Sequence, residues 1–138
     1  MPEHYVHRHV VTLDETNLVG NVYFAHYLRW QGHCREHFLA DHAPGVLRRL
    51  TAGELVMVTV SCRMDYFAEC FALEEIDVLM SLSDTGGNRV VMDFEFRRGA
   101  VVVARGAQTV ACMRRTGDGV TPVEVPAELA VALAAYTR

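Results

Sequence analysis

Two polar side chains in an otherwise apolar stretch carry the chemistry this sequence can do. Asn17 closes a polar turn, Asp14-Glu15-Thr16-Asn17, that leads through Leu18-Val19-Gly20 into a helix. Arg35 interrupts the apolar face of that helix. Asn cannot act as a base, but its carboxamide donates and accepts hydrogen bonds and can hold a water or a carbonyl in place. The N–H groups at a helix start have no intrahelical partner, and they favour negative charge, including the charge on a carbonyl oxygen under attack. An Arg in a helix wrapped by protein needs a reason. The plain one is an ion pair with Asp65, or with Glu36 of another subunit. Asp14 and Glu15 read as solvated turn carboxylates.

Other chemistries find less support. There is no GxSxG elbow, and Ser61, Ser81 and Ser83 lie in strand-like runs. Neither a GxGxxG nor a Walker A run is present. All 13 basic residues are Arg, which excludes Schiff-base and P-loop lysines. A net charge of −4 argues against generic nucleic-acid binding. The pairs Arg48-Arg49, Arg97-Arg98 and Arg114-Arg115 read as solvated by default, with a phosphate or an acidic carrier domain as the functional alternative. His33 and His37 share a helix face but lack a third ligand, so neither a metal nor a cofactor is expected. Cys34, beside Arg35, reads as a buried structural thiol. With Cys62, Cys70 and Cys112 it forms no CxxC pair, so the four are expected to be reduced core residues of a cytoplasmic protein. No apolar run is long enough to span a membrane, and MPEHYVHRH has no signal-peptide core.

The elements that must position these residues follow from periodicity. At 138 residues the chain reads as a single domain, 1–138, and 51% hydrophobic residues lean towards an oligomer. A strand is predicted over 4–13 and a helix over about 23–42, closed by Ala43-Pro44-Gly45. A short helical turn and loop over 46–54 come next. Strand-like runs cover 55–70, 75–83, 88–98 and 101–115, with a hairpin at Asp84-Thr85-Gly86-Gly87. A polar turn at 116–122 precedes a C-terminal helix over 126–136. Phe24, Leu28, Gln31, Arg35 and Phe38 mark one helix face, with Tyr27, Trp30 and Cys34 on the adjacent one. Gly32 costs about 1 kcal/mol against Ala in mid-helix, which predicts a neighbouring backbone close by. Gly106 is expected to mark a bulge. One long helix followed by consecutive antiparallel strands predicts an α+β fold in which the sheet curls round the helix.

The run Asn17-Leu18-Val19-Gly20-Asn21-Val22-Tyr23-Phe24-Ala25-His26-Tyr27 resembles the 4-hydroxybenzoyl-CoA thioesterase-like branch of the hot-dog superfamily. The pattern there is an acidic residue, two residues, Gly, then an aromatic-rich helix start. The resemblance implies one hot-dog domain: a long central helix wrapped by a five-stranded antiparallel sheet, with a short C-terminal helix. That branch's catalytic Asp falls on position 17, where this chain has Asn.

The longer combination TNLVGNVYFAHYLRWQGHCREHFLADHAP resembles the thioesterases of enediyne polyketide biosynthesis, in which an Asn and a helix Arg replace the carboxylate. The resemblance implies Asn17 and Arg35 as the catalytic pair. It also implies a long conjugated β-ketoacyl thioester, carried on the phosphopantetheine of an acyl carrier domain of an iterative polyketide synthase. Hydrolysis would give a β-keto acid that loses carbon dioxide to leave a polyene methyl ketone. On this reading N–H groups around Gly20, Asn21, Val22 and Tyr23 hold the oxyanion. Arg35 steadies the β-keto oxygen, across a subunit interface of a dimer or dimer of dimers. Tyr23, Tyr27, Trp30, Gln31, Met64, Tyr66 and Phe67 wall the acyl tunnel. Two other readings stay open: an ordinary acyl-CoA thioesterase with Glu36 or Asp14 as base, and a non-catalytic acyl-binding protein.

Overall fold

A strand, a 3-10 turn and a long helix open the chain, and long strands then wrap that helix, in the computed structural model, which describes residues 4–137. The strand β1 (Tyr5–Val10) and the turn Leu13–Glu15 precede the helix α1 (Ala25–His42) and a short α2 (Pro44–Thr51). Then come β2 (Leu55–Tyr66), β3 (Glu75–Gly86), β4 (Arg89–Arg98), β5 (Val101–Thr116), β6 (Gly119–Pro122) and α3 (Ala127–Ala134). Every pairing between these strands is antiparallel, in the order β1-β3-β4-β5-β2, with β6 on the end of β5. This is the expected hot-dog arrangement. The additional short strand β6 falls in the stretch read as a polar turn. Gly117, at φ +48, lets the chain double back so that 119–122 pair with 113–116.

Alternation in β3 and β4 puts Ile76, Val78, Met80 and Leu82, and Val90, Met92, Phe94 and Phe96, into the core. The helix α1 meets them with Tyr27, Trp30, Gln31, Cys34 and Phe38. Tyr27, Trp30 and Cys34 are the face read as adjacent; of the expected stripe Gln31 and Phe38 also turn inward, while Phe24 and Leu28 are left 57% and 37% exposed. The larger aromatic payload decides it: Tyr27 packs at 4.8 Å on Trp30 and 5.8 Å on Phe96 between ring centroids.

Several local expectations change. Pro44 ends α1 and also opens α2, whose N-terminal N–H groups on Gly45 and Val46 are capped by the Glu128 carboxylate of α3 at 3.3 and 2.7 Å. A Cβ on Gly32 would meet nothing within 4 Å, so no described backbone of this chain approaches it. Gly106 is no bulge; it pairs in register with Met64 and Phe94, and the irregularity in β2 falls between Thr59 and Ser61. Its missing side chain has another cause: a Cβ there would lie 2.4 Å from Gln31 Oε1.

The strand β2 stops at Tyr66, short of the expected 70, and forms a sheet edge. From Val58 to Arg63 it is exposed on both faces, with Val58 43% and Val60 46% accessible. Cys62 is therefore exposed, whereas Cys34, Cys70 and Cys112 are buried as expected of core thiols. Among the described residues no helix is long and apolar enough to cross a membrane.

Candidate active site

The turn before α1 is built around a buried carboxylate. Glu15 was expected to be solvated; it is 6% exposed. Its Oε1 accepts from Thr12 N–H at 2.9 Å and lies 2.8 Å from His9 Nε2, while its Oε2 accepts from the Trp30 indole at 2.6 Å. Burial pushes its pKa up, but these hydrogen bonds outweigh burial and hold the carboxyl down at about 2. One side chain thus ties β1, the turn and α1 together. Sequence pattern could not show this, because the partners that bury Glu15 are His9 and Trp30, on other elements.

Just beyond it the chain folds back on itself. Asn17 N–H donates to Asn21 O at 2.6 Å, and Gly20 N–H, in the left-handed region at φ +98, donates to Asn17 O at 2.9 Å. The Asn17 Nδ2 donates to Asn21 Oδ1 at 3.2 Å, and Asn21 Nδ2 in turn to Glu69 Oε1 at 3.2 Å. This relay fixes the Asn17 carboxamide and leaves its Oδ1 without a donor among the described residues.

The oxyanion donors expected around Gly20 to Tyr23 are mostly spoken for. Gly20 N–H serves Asn17, Val22 N–H donates to Cys70 O at 2.8 Å, and Tyr23 N–H to Glu15 O at 2.9 Å. Of the expected four, Asn21 N–H alone finds no acceptor among the described residues. One step further, the helix starts at Phe24 with no side-chain cap and no acidic residue in its first turn. The Phe24 and Ala25 N–H groups are likewise left without acceptors among the described residues, while His26 N–H already bonds Tyr23 O. An uncapped helix start of this kind is built to receive negative charge. An aromatic rim surrounds it: the Tyr66 hydroxyl donates to Phe24 O at 2.9 Å, and Phe24 stacks edge-on to Tyr66 at 6.4 Å.

Arg35 lies elsewhere. It lines a groove of about 540 Å³ with Glu36, Leu39, Leu47, Leu50 and Met57, between α1, α2 and β2. Burial lowers its pKa and Glu36 counters, and a guanidinium stays charged under both. It has no hydrogen-bonded or ion-paired partner among the described residues; Asp65 pairs with Arg63 instead. With about 1.5 Å of rise per helical residue, Arg35 lies some 15 Å along the axis from the helix start. One chain therefore does not bring Asn17 and Arg35 together.

The expected tunnel residues divide. Tyr27, Trp30 and Gln31 are buried, Met64 is half-buried, Tyr23 and Tyr66 are exposed at the helix-start rim, and the exposed Phe67 lies under Arg105. None of them lines the groove beside Arg35. Of the candidate bases, Asp14 is exposed and Glu36 lies in that groove. Burial pushes the Cys34 thiol up to about 12, so it is protonated at neutral pH and is no nucleophile. His7 stacks on His37 at 4.3 Å, and among the described residues no three His, Cys, Asp or Glu side chains converge on a metal position.

Comparison with known proteins places these features in company. Residues 11–133 match the family model of the thioesterase-like superfamily. The fold superposes on a crystal structure of the dynemicin thioesterase, from work on polyene binding, with a TM-score of 0.94, 60% identity and 98% of each chain covered. It also superposes on a 1,4-dihydroxy-2-naphthoyl-CoA thioesterase from Synechocystis at 0.83, with 19% identity over 95% of this chain and 96% of that one. A mutant 4-hydroxybenzoyl-CoA thioesterase holding 4-hydroxybenzoyl-CoA gives 0.81, with 14% identity over 95% and 99%. No curated protein sequence matches.

Proposed function

Because this chain belongs to the thioesterase-like superfamily, we propose that it is the releasing hydrolase of an iterative enediyne polyketide synthase. Its substrate is a polyunsaturated β-ketoacyl thioester on the phosphopantetheine of an acyl carrier domain. The chain is a thioester hydrolase of the hot-dog fold. The 60% identity to the dynemicin thioesterase supports the enediyne setting.

One observation carries the mechanism: the residue ahead of the uncapped helix start is a fixed carboxamide, Asn17, whose Oδ1 has no donor among the described residues. The thioester carbonyl oxygen docks on the Phe24 and Ala25 N–H groups, and Asn17 Oδ1 accepts from the attacking water and orients it. The water oxygen bonds to the carbonyl carbon as the C–S bond breaks, and the thiol leaves with the proton that the water gives up. A general base is worth about 10²–10⁴ in rate, and one oxyanion donor about 3–4 kcal/mol. A β-keto group activates the carbonyl, so this reaction proceeds without the carboxylate. The β-keto acid then loses carbon dioxide.

Arg35 joins from a second copy. The exposed edge of β2, with Val58 and Val60 on it, is the kind of strand that proteins cover, and Arg35 shares its groove with Met57 of that strand. Edge-to-edge pairing of two β2 strands makes a homodimer with Arg35 at its interface. There the guanidinium steadies the β-keto oxygen.

Co-expression with the partner synthase, read by mass spectrometry, tests the reading. Polyene methyl ketone is expected with the wild-type chain and about a hundredth of it or less with Asn17→Ala. The same product spectrum from both would end it. Glu36 beside Arg35 favours a second reading, hydrolysis of simple acyl-CoA esters with Glu36 as base. That reading requires Glu36→Gln to abolish acyl-CoA turnover.

A further inference from the structure

The arginines of this chain fall into two sets, and their placement supports a docking surface, given the hydrolase reading above. Arg8, Arg49, Arg63, Arg97, Arg98 and Arg105 each pair with a carboxylate. Among the other described arginines, Arg29 lies 3.4 Å from the His26 ring and Arg89 starts β4. The remaining four are Arg35, Arg48, Arg114 and Arg115; like Arg29 and Arg89, they have no carboxylate partner among the described residues.

These four gather round one corner. Arg48 lies in the last turn of α2. Arg114 is the cross-strand neighbour of Leu55, just after α2 ends. Arg115 is fastened there, its Nε donating to Gly53 O at 3.3 Å and its N–H to Glu54 O at 3.2 Å. The opposite side of α2 turns Leu47 and Leu50 into the 540 Å³ groove that reaches Arg35. An apolar groove thus opens beside an unneutralised basic corner, on a chain whose net charge is −4. Exposed arginines without partners add nothing to the fold; their field acts on whatever approaches.

We propose that the corner formed by the end of α2, residues 52–54 and the end of β5 docks the acidic face of the acyl carrier domain. The phosphopantetheine arm then enters the groove between α2 and β2 and carries the thioester towards Arg35. Charges on a rim set the association rate and its salt dependence more than the chemistry behind it. The corner therefore matters to a substrate delivered on a protein and not to a free one.

The Arg48→Glu/Arg114→Glu double variant tests this, since both side chains are exposed and make no hydrogen bond or ion pair among the described residues. Two thioesters of the same β-ketoacyl chain are compared, one on a holo carrier domain of a polyketide synthase and one on N-acetylcysteamine. The carrier-bound kcat/KM should fall about tenfold or more and lose its salt dependence, with the N-acetylcysteamine value unchanged within about twofold. Calorimetric affinity for the holo carrier domain should weaken in step. Unchanged carrier-bound kcat/KM, or equal losses on both thioesters, overturns the docking surface. Should the wild-type chain hydrolyse neither thioester, the hydrolase reading fails instead. Calorimetry then still decides docking: binding lost in the double variant supports it, and binding retained removes it.

Discussion

The helix start and the groove beside Arg35 lie on the same helix yet are finished to different degrees. Around residues 12–23 the side chains that shape the turn are partnered inside the chain: Glu15 holds His9, Thr12 and Trp30, and Asn17 is held through Asn21 to Glu69. Around Arg35, with Glu36 in the same groove, the guanidinium forms no ion pair among the described residues, the neighbouring strand edge is exposed, and Arg48, Arg114 and Arg115 have no carboxylate partner there either. The first region is preorganised by the fold. The second is left for something outside the chain to complete, in keeping with the proposal that Asn17 and Arg35 meet across two subunits.

The largest expected effect breaks this comparison outright if it goes the wrong way. Asn17→Ala and Arg35→Ala should each lower kcat by about 10²–10³, the size of one lost transition-state contact, with little change in melting temperature. Mixing the two variants is the sharper measurement. If each site takes Asn17 from one chain and Arg35 from its partner, random mixing yields one intact site in half of the dimers, about a quarter of wild-type turnover. A site within one chain gives no recovery at all.

The next effect acts on stability and belongs to the finished region. The folded carboxyl of Glu15 titrates at about 2 against an ordinary value of 4.5, so it contributes stability that is fully present above about pH 4.5. That contribution is lost as pH falls towards 2. Glu15→Gln should cost about 2–3 kcal/mol at neutral pH by chemical denaturation. The gap between variant and wild type should shrink by more than half by about pH 3. A gap that stays constant with pH would show that the neutral amide is simply a poorer fit, and that charge is not what fastens the turn.

Much of the fold was legible because burial follows alternation: Met92, Phe94 and Phe96 of β4 are buried between the half-buried Asp93, Glu95 and Arg97. The site was legible only in part. Asn17 and Arg35 stand out as polar side chains at positions where a resemblance gives them roles. Glu15 does not, since its burial depends on Trp30 and His9 arriving from other elements. Phe24 and Ala25 escaped because backbone N–H groups carry no residue signature; their availability depends on which neighbours find acceptors first. The aromatic wall was legible only in part for a related reason. Tyr27 and Trp30 point inward at helical spacing whether the interior is solid core or cavity, and here they pack on each other and on Phe96.

The smallest effect probes where one region gives way to the other. Gln31 lies on α1 between Tyr27 and Arg35, 1% exposed, with its Oε1 unpartnered among the described residues. A Cβ on Gly106 would stand 2.4 Å from that oxygen, 2.9 Å from Met64 Cε and 3.0 Å from Arg63 O. Gly106→Ala therefore pits a gain of about 0.5–1 kcal/mol in backbone entropy against overpacking of about 1–3 kcal/mol. The first two contacts are ends of flexible side chains, but the Arg63 carbonyl belongs to a paired strand and yields less. Overpacking should win, with a net loss near 1 kcal/mol by denaturation. Gln31→Ala in the same chain removes the tightest contact and the orphaned oxygen, so the pair should cost less than the sum of its parts by about 0.5–1 kcal/mol. Turnover separates the two regions. If Gln31 belongs to the finished core, Gln31→Ala leaves kcat unchanged once the protein is folded; if it belongs with Arg35, kcat falls while Gly106→Ala alone leaves it intact.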